Sequence, residues 1–413
     1  MKKMLSVMVL FAVMLSLFAC AAPAQTDVTE KPNYSNYPPI NEKLTWDKIR
    51  EFPIKSPDMT VEELRQLCVD FFRFTKTALW TPDEDLFYIK NSKGTEDDIR
   101  KGMVYGGLPY VGVASGNVYR LMDYIDEETG VVDLSEAAAN LKLFGNQCSI
   151  GAYWGWGRVI NSADYDWTKD MVQEGGFLRV GPYTYDDALL RYGSTKTTRD
   201  ICNENGMRVM FESYALLQSA DGLVNYSTAG HVIMVSSNPV VVYNDDGTVN
   251  GAESYLTVIH QAQTWEEGTN DAGDTYLHKN GVDEILSFAE LYEDAYLPFT
   301  FAEFLGTDPI EDTECVFSLS GSTVSPDEML SAKVTANYGI ADAYANVKDS
   351  EGKVVYSCAV RAEKAGCMEV GFATAIQTDQ WEPYTNGEYT LEVVCQLSTG
   401  ERPVIYTGTL VKE

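Results

Sequence analysis

An α+β domain followed by an all-β sandwich is the fold this 413-residue sequence predicts. Three observations predict it. Helical patterns dominate from Thr60 to Gln218, and strand-like, β-branched runs follow one another from Leu223 to His260. After Asp312 the texture changes to short alternating segments separated by Gly, Asn, Asp and Ser turns. Helices first and antiparallel strands afterwards make an α+β domain, and a chain of this length is expected to hold two domains.

The N-terminus reads as an address. Lys2 and Lys3 precede an apolar run from Met4 to Phe18 that is too short for a membrane span and ends in Leu17-Phe18-Ala19-Cys20. This tail resembles the lipobox of bacterial lipoproteins, in which the cysteine is lipid-modified and becomes the new N-terminus. The resemblance implies a signal peptide over residues 1–20, a lipid anchor on Cys20, a polar tether over 21–44, and export to the outer face of a bacterial membrane.

Charge narrows the partners. The chain has 61 Asp and Glu against 31 Lys and Arg, which argues against nucleic acid and against attraction to anionic lipid. Membrane contact is therefore expected through the lipid anchor only. Eight cysteines less Cys20 leave seven, so at least one thiol is expected to be unpaired. Cys315, Cys358, Cys367 and Cys395 can pair in three ways, Cys68 and Cys202 are more isolated, and there is no Cys-x-x-Cys pair to suggest a zinc ribbon.

In chain order, Thr60-Val-Glu-Glu63 is a capping box, and Leu64, Leu67, Cys68, Phe71, Phe72 and Leu79 share one helical face. Thr81-Pro82-Asp83 predicts that this helix ends near Trp80. Gly106 to Gly112 reads as a turn, and Ser135 to Asn140 as helical. Ile150, Tyr153, Trp154 and Val159 suit a buried helix, although Gly151, Gly155 and Gly157 each cost it about 1 kcal/mol against alanine. Such glycines fit a close packing partner or a kink. Residues 163–205 look like an elaboration that shapes a groove, and Met207 to Gln218 is helical again. Leu223 to Tyr226, His231 to Ser236, Val240 to Tyr243 and Tyr255 to His260 read as strands, with a hairpin turn at Asn244 to Gly247.

This first domain is placed at 45–311 and the second at 312–413. In the second, seven short strands are expected at Cys315–Leu319, Ala332–Ala336, Ala343–Val347, Val354–Val360, Glu369–Ala373, Glu388–Gln396 and Val404–Val411. Seven strands in about a hundred residues suggest an immunoglobulin-like sandwich serving as a spacer or stabilising module.

Chemistry concentrates in few residues. Of only three histidines, His231 and His260 lie on strand-like runs, whereas His278 falls in a polar loop and is expected to be exposed. Cys148, in Gly-Asn-Gln-Cys-Ser-Ile, heads a helix whose unpaired N–H groups bias a thiol toward thiolate. One imidazole can take its proton and the other can orient the first. A zinc site from Cys148, His231 and His260 is a weaker reading, because no two of them form a close ligand pair in sequence.

Five segments in this region, in order, resemble the NlpC-type cell-wall cysteine peptidases, a papain-like superfamily. Gly107-Leu-Pro-Tyr110-Val is similar to the family's Gly-x-Pro-Tyr-x turn, and Gln147-Cys148-Ser149 matches its Asp-Cys-Ser-Gly at Cys and Ser. Ala220-Asp-Gly-Leu-Val resembles its Gly-Asp-Leu-Val, Gly230-His231-Val232 its Gly/Ser-His-Val, and Val258-Ile259-His260 its later Ile-His. The resemblance spans about Tyr105 to Gln263. It implies Cys148 as nucleophile, His231 as general base and later acid, and His260 as its orienter. Tyr110 with the Cys148 N–H would stabilise the oxyanion, and Gln147, Ser149 and Trp154 would contact substrate. The substrate implied is an amide in peptidoglycan peptides, with no metal and no cofactor. Gln147 stands where the family has Asp, and Ile150 where it has Gly. The competing expectation is a binding lipoprotein that keeps the cleft without turnover, and a third is an adhesion or scaffold role for the sandwich.

Overall fold

A computed structural model describes residues 43–412 except 91–95, 112–115, 135–144, 162–176, 186–195, 227–229, 270–272, 274, 320–322 and 375–384. The signal region, Cys20, nearly all of the tether and the Ser135–Asn140 stretch lie outside the described residues. Pro38 to Glu413 form one compact unit.

Helix α1 (Trp46–Glu51) precedes α2 (Val61–Thr77), which starts as its capping box dictates: the Thr60 hydroxyl accepts from the Glu63 N–H and the Glu63 carboxylate from that of Thr60. Leu64, Leu67, Cys68, Phe71 and Phe72 are buried on its inner face. Each such side chain contributes about 1.5–3 kcal/mol of burial. The helix stops at Thr77, earlier than expected, because the chain turns extended into strand β1 (Leu79–Pro82). A residue before proline favours the extended region, so Thr81-Pro82 continues a strand here and does not start a turn. The Trp80 indole secures the turn beyond, donating to the Gly107 carbonyl at 2.8 Å.

Strands β2 (Leu86–Lys90) and β3 (Glu96–Ile99) pair with each other. Then come β4 (Tyr105–Gly106), α3 (Val118–Leu121), β5 (Ile125–Asp126), β6 (Val131–Val132) and α4 (Cys148–Trp156). Within the 163–205 elaboration, β7 (Phe177–Arg179) adds an edge strand to the central sheet. Helix α5 (Thr198–Tyr214) is longer than expected but breaks at Gly206 (φ 79°, ψ 159°), so the sequence pattern from Met207 captured only its second half.

The central sheet is completed by β8 (Gly222–Tyr226), β9 (Gly230–Val235), β10 (Tyr255–Ile259), β13 (Glu284–Ser287) and β14 (Leu297–Phe301), with α6 (Phe288–Glu293) between the last two. Its order is β13-β10-β9-β8-β14-β7, and every neighbouring pair is antiparallel. Val240 to Tyr243 is not a strand; it makes only isolated bridges to Tyr255 and Val249. Pro239, with no N–H to donate, precedes it. β11 (Trp265–Thr269) and β12 (Thr275–Lys279) form a hairpin that joins β4, β1, β6 and β5 in a second, mixed sheet. His278 therefore sits half-buried on a strand and not in an exposed loop. The first half of the chain is thus α+β, as expected.

All seven expected strands of the C-terminal region are present. They are β15 (Cys315–Ser318), β17 (Lys333–Ala336), β18 (Ile340–Lys348), β19 (Val354–Arg361), β20 (Glu369–Gly371), β21 (Gly387–Leu397) and β22 (Val404–Lys412). A short β16 (Thr323–Val324) and helix α7 (Pro326–Met329) complete the region. Two sheets, β15-β17-β20 and β16-β22-β21-β18-β19, enclose a core that includes Val334, Ala343, Phe372, Leu391 and Cys395. All seven described cysteines are free thiols. Among the described residues no helix is long and apolar enough to cross a membrane.

This region is docked firmly on the first. Arg120 of α3, 1 % exposed, pairs through Nε with Asp342 Oδ1 of β18 at 3.0 Å and donates from Nη2 to the carbonyls of Ala341 and Ala362, each at 2.9 Å. Arg361 of β19 adds contacts to Asp342 and to Asp123.

Candidate active site

Helix α4 carries Cys148 at its first position and lies against α2 and β9. Gly155 makes the approach possible: a Cβ there would fall 2.8 Å from both Phe72 Cβ and Met234 Cε. Close packing, one of the two readings of these helix glycines, is what the structure shows. Burial on this scale fixes the helix axis and hence the position of its first turn.

Cys148 is 5 % exposed. Burial pushes its thiol up from the ordinary value, against the opposing pull of the Val232, Ser149 and Cys148 N–H groups and the Tyr110 hydroxyl. Desolvation therefore works against the bias toward thiolate that the helix N-terminus supplies. The Val232 N–H contact is informative, because it brings the thiol to the start of β9, next to His231. Tyr110 is held at the Cys148 thiol by its backbone. It bridges to Asn146, while the Val111 N–H donates to the Asn146 carbonyl (3.0 Å) and the Asn146 N–H to that of Pro109 (3.1 Å).

Sheet register brings the histidines together. Val258 pairs with Val235 across β10 and β9, so two-residue alternation puts His231 and His260 on one face, diagonal to each other. Their rings are nearly perpendicular (88°), and His231 Nε2 lies 2.9 Å from His260 Nδ1. Glu284, opposite Val258 on β13, reaches His260 Nε2 with Oε2 at 2.8 Å.

These contacts determine the tautomers. A carboxylate only accepts, so His260 Nε2–H donates to Glu284. Burial, with the Lys76 charge, lowers the His260 pKa despite the carboxylate beside it, so its Nδ1 is a lone pair that accepts from His231 Nε2–H. With Nε2 engaged by His260, Nδ1 is the His231 ring nitrogen turned away from that contact. Glu284, in turn, is held below the usual carboxylate range by its hydrogen bond to His260.

The loop between β12 and Glu284 is clamped from below by α2. Arg73 makes a bidentate pair with Asp283, both contacts 2.9 Å, and holds that residue at φ 51°. Buried Lys76 donates to Gln261 Oε1 (2.8 Å) and to the Asn280 carbonyl (3.1 Å), and Gln261 Nε2 donates to the Leu108 carbonyl (2.8 Å). The Gln261 amide, held by the buried Lys76 amine, thus ties the turn bearing Tyr110 to the segment bearing His260. Burial drives the Lys76 pKa well down.

Gly281 is the tightest point of this loop. It accepts from the His260 N–H at 2.8 Å, its φ is +86°, and a Cβ on it would lie 2.5 Å from His260 Nε2. Gly281→Ala is expected to push the imidazole off both its partners, and a reaction that relies on this imidazole should slow about 100-fold, since misplacement of about 1 Å costs that much. Single-turnover kinetics alongside a thermal melt would check it; a variant with unaltered turnover would show that the relay does not matter.

Acid should loosen the relay. The folded His260 pKa lies below its unfolded value near 6.5, so the native state resists protonation there. Its contribution is complete above about pH 6.5 and falls as pH drops below, and Glu284 adds a loss in the same direction below about 4.5. Urea titrations across pH 4–8 should show this decline, and His260→Gln should flatten the upper part of it.

Among the other expected site residues, Gln147 is the half-buried N-cap of α4 with no side-chain hydrogen bond to the helix. Ser149 is 2 % exposed at the second helical position. Trp154, also 2 % exposed, packs edge-on against Tyr119 and Tyr153. That is core packing, and the expectation that Trp154 contacts substrate does not fit it. The two histidines face each other, and among the described residues no three His, Cys, Asp or Glu side chains are placed to hold a metal ion.

Sequence reasoning missed Glu284, Gln261, Lys76, Arg73 and Gly281. Adjacency to His260 was the one signal for Gln261; the others come from strand pairing and helix packing that no local pattern announces. No protein-family model and no curated protein matches this chain.

Proposed function

We propose that the chain is a papain-like cysteine peptidase or amidase of NlpC type, cleaving an amide bond in cell-wall peptides, with a C-terminal immunoglobulin-like sandwich and a lipid anchor at Cys20. The observation that carries this reading is the hydrogen-bonded series His231–His260–Glu284, whose first member directly precedes Val232, the residue whose N–H meets the Cys148 thiol at a helix N-terminus. A core histidine satisfied by a backbone carbonyl would not need it.

In the proposed reaction His231 Nδ1 removes the Cys148 proton as Sγ attacks the substrate carbonyl. Because burial raises the thiol pKa, proton transfer accompanies attack and no ion pair precedes it. The N–H groups of Cys148 and Ser149 and the Tyr110 hydroxyl, already gathered at the sulfur, are donors for the oxyanion. His231 then protonates the leaving amine, and water hydrolyses the thioester by the same steps in reverse. Gln147, neutral where the family carries a carboxylate, offers a side chain at the edge of the site suited to a polar group other than a free amine.

The same burial of Cys148 favours one second reading, a binding protein that keeps the cleft without turnover. Incubating the purified chain with muropeptides and analysing the products by mass spectrometry separates the two. The peptidase reading expects new termini from one amide bond and a trapped acyl adduct on Cys148. Intact peptides with saturable binding would establish the binding protein instead.

A further inference from the structure

Strands β15 and β21 belong to different sheets of the sandwich, and each directs one cysteine into the space between them. On β15, two-residue alternation puts Cys315 on the face of Phe317, whose ring lies 4.9 Å from Tyr406 and 6.1 Å from Phe372. On β21, Val393, Cys395 and Leu397 share a face, and all three are fully buried in the same core. Cys315 packs there against the core that holds Cys395, close enough for the two thiols to interact. Cys367, by contrast, donates to the Glu369 carbonyl at 2.9 Å, and Cys358 lies on β19 opposite Ala345. Of the three pairings open to these four cysteines, Cys315 with Cys395 is the one whose thiols the structure brings into contact.

We propose that Cys315 and Cys395 form an oxidisable dithiol that reacts with a small-molecule disulfide and staples the two sheets together. Their environments assign the order of events. Cys315 is half-buried, so a donor can reach it, whereas Cys395 is enclosed. Interaction with Cys395 holds the Cys315 pKa down against burial and against Glu401, on the thiol that a donor can reach. Cys315 is therefore the attacking thiolate and Cys395 the resolving thiol. Cys315 Sγ attacks one sulfur of the donor; the Cys315–donor bond forms, the donor disulfide breaks, and one thiolate leaves. Cys395 gives its proton to that thiolate and attacks Cys315 Sγ, forming the internal disulfide and expelling the second donor thiolate. The dithiol loses two electrons and the donor gains them. This chemistry is independent of Cys148 and of the proposed amidase activity.

The test uses the full chain with oxidised glutathione, followed by iodoacetamide, peptide mapping and thermal melting. The expected result is a Cys315–Cys395 cross-linked peptide, two fewer alkylatable thiols and a thermal midpoint raised by about 5 °C, all reversed by dithiothreitol. Cys395→Ser should instead stop at one glutathione retained on Cys315, and Cys315→Ser should leave residue 395 unmodified. A cross-link through Cys358 or Cys367, glutathione persisting on Cys315 in the unsubstituted chain, or no change in thiol count would each overturn the proposal.

Discussion

Cys148→Ala is expected to lower the proposed amide hydrolysis by about 10⁴-fold or more while leaving the protein folded. Removing the nucleophile of a cooperating set removes nearly all of the chemistry, because the base and its partners then have nothing to activate. Only binding and the oxyanion donors remain, which accounts for any residual rate. The side chain is 5 % exposed and small, so its truncation costs about 1 kcal/mol of stability, and a thermal melt should show a modest shift. His231→Ala should fall nearly as far, and the double variant no further, because the two residues act as a unit. Iodoacetamide provides a readout that needs no peptide substrate. With the thiol pKa raised by burial, alkylation of Cys148 should be slow at neutral pH and accelerate as pH rises. Hydrolysis that survives Cys148→Ala would remove this cysteine from the mechanism, whatever its surroundings.

How far the sequence foretold this site depended on the range of the interactions involved. Capping is local, so the start of α2 at Thr60 was readable from four residues. The strand segments of the sandwich were readable because period-two alternation and turn residues are also local. The pairing of His231 with His260 needed strand register, which local patterns supply only by implication. Glu284 had no signal of its own, since it reaches His260 only because β13 pairs with β10. Lys76 is a further step removed. Nothing in a helical pattern shows that a lysine near its C-terminus turns inward to join Gln261 and Asn280. The helix-dipole argument for Cys148 had the right groups and the wrong balance: the N–H donors are present, but the depth of the site, which outweighs them, is a property of the packed molecule.

Arg120→Met should destabilise the whole unit by about 3 kcal/mol, because buried Asp342 then keeps only its contact to Arg361. Asp342 is fully buried and its Oδ2 has no hydrogen-bond partner among the described residues, so it depends on Oδ1, which meets Arg120 Nε at 3.0 Å and Arg361 Nη1 at 3.1 Å. Losing Arg120 also frees the carbonyls of Ala341 and Ala362, one on β18 and the other just beyond β19. The variant should therefore loosen the attachment of the sandwich to α3 before either part unfolds, exposing the connecting segment 306–314 to protease. Asp342→Leu made together with Arg120→Met removes both charges and leaves apolar side chains of similar bulk. Such double replacements of buried pairs are often neutral or stabilising, so the double variant should recover most of what the single one loses. Urea denaturation of the four proteins in this cycle measures the coupling directly. If the single and double variants were equally destabilised, the loss would belong to the arginine's packing and its carbonyl contacts, and the ion pair would not be what docks the sandwich.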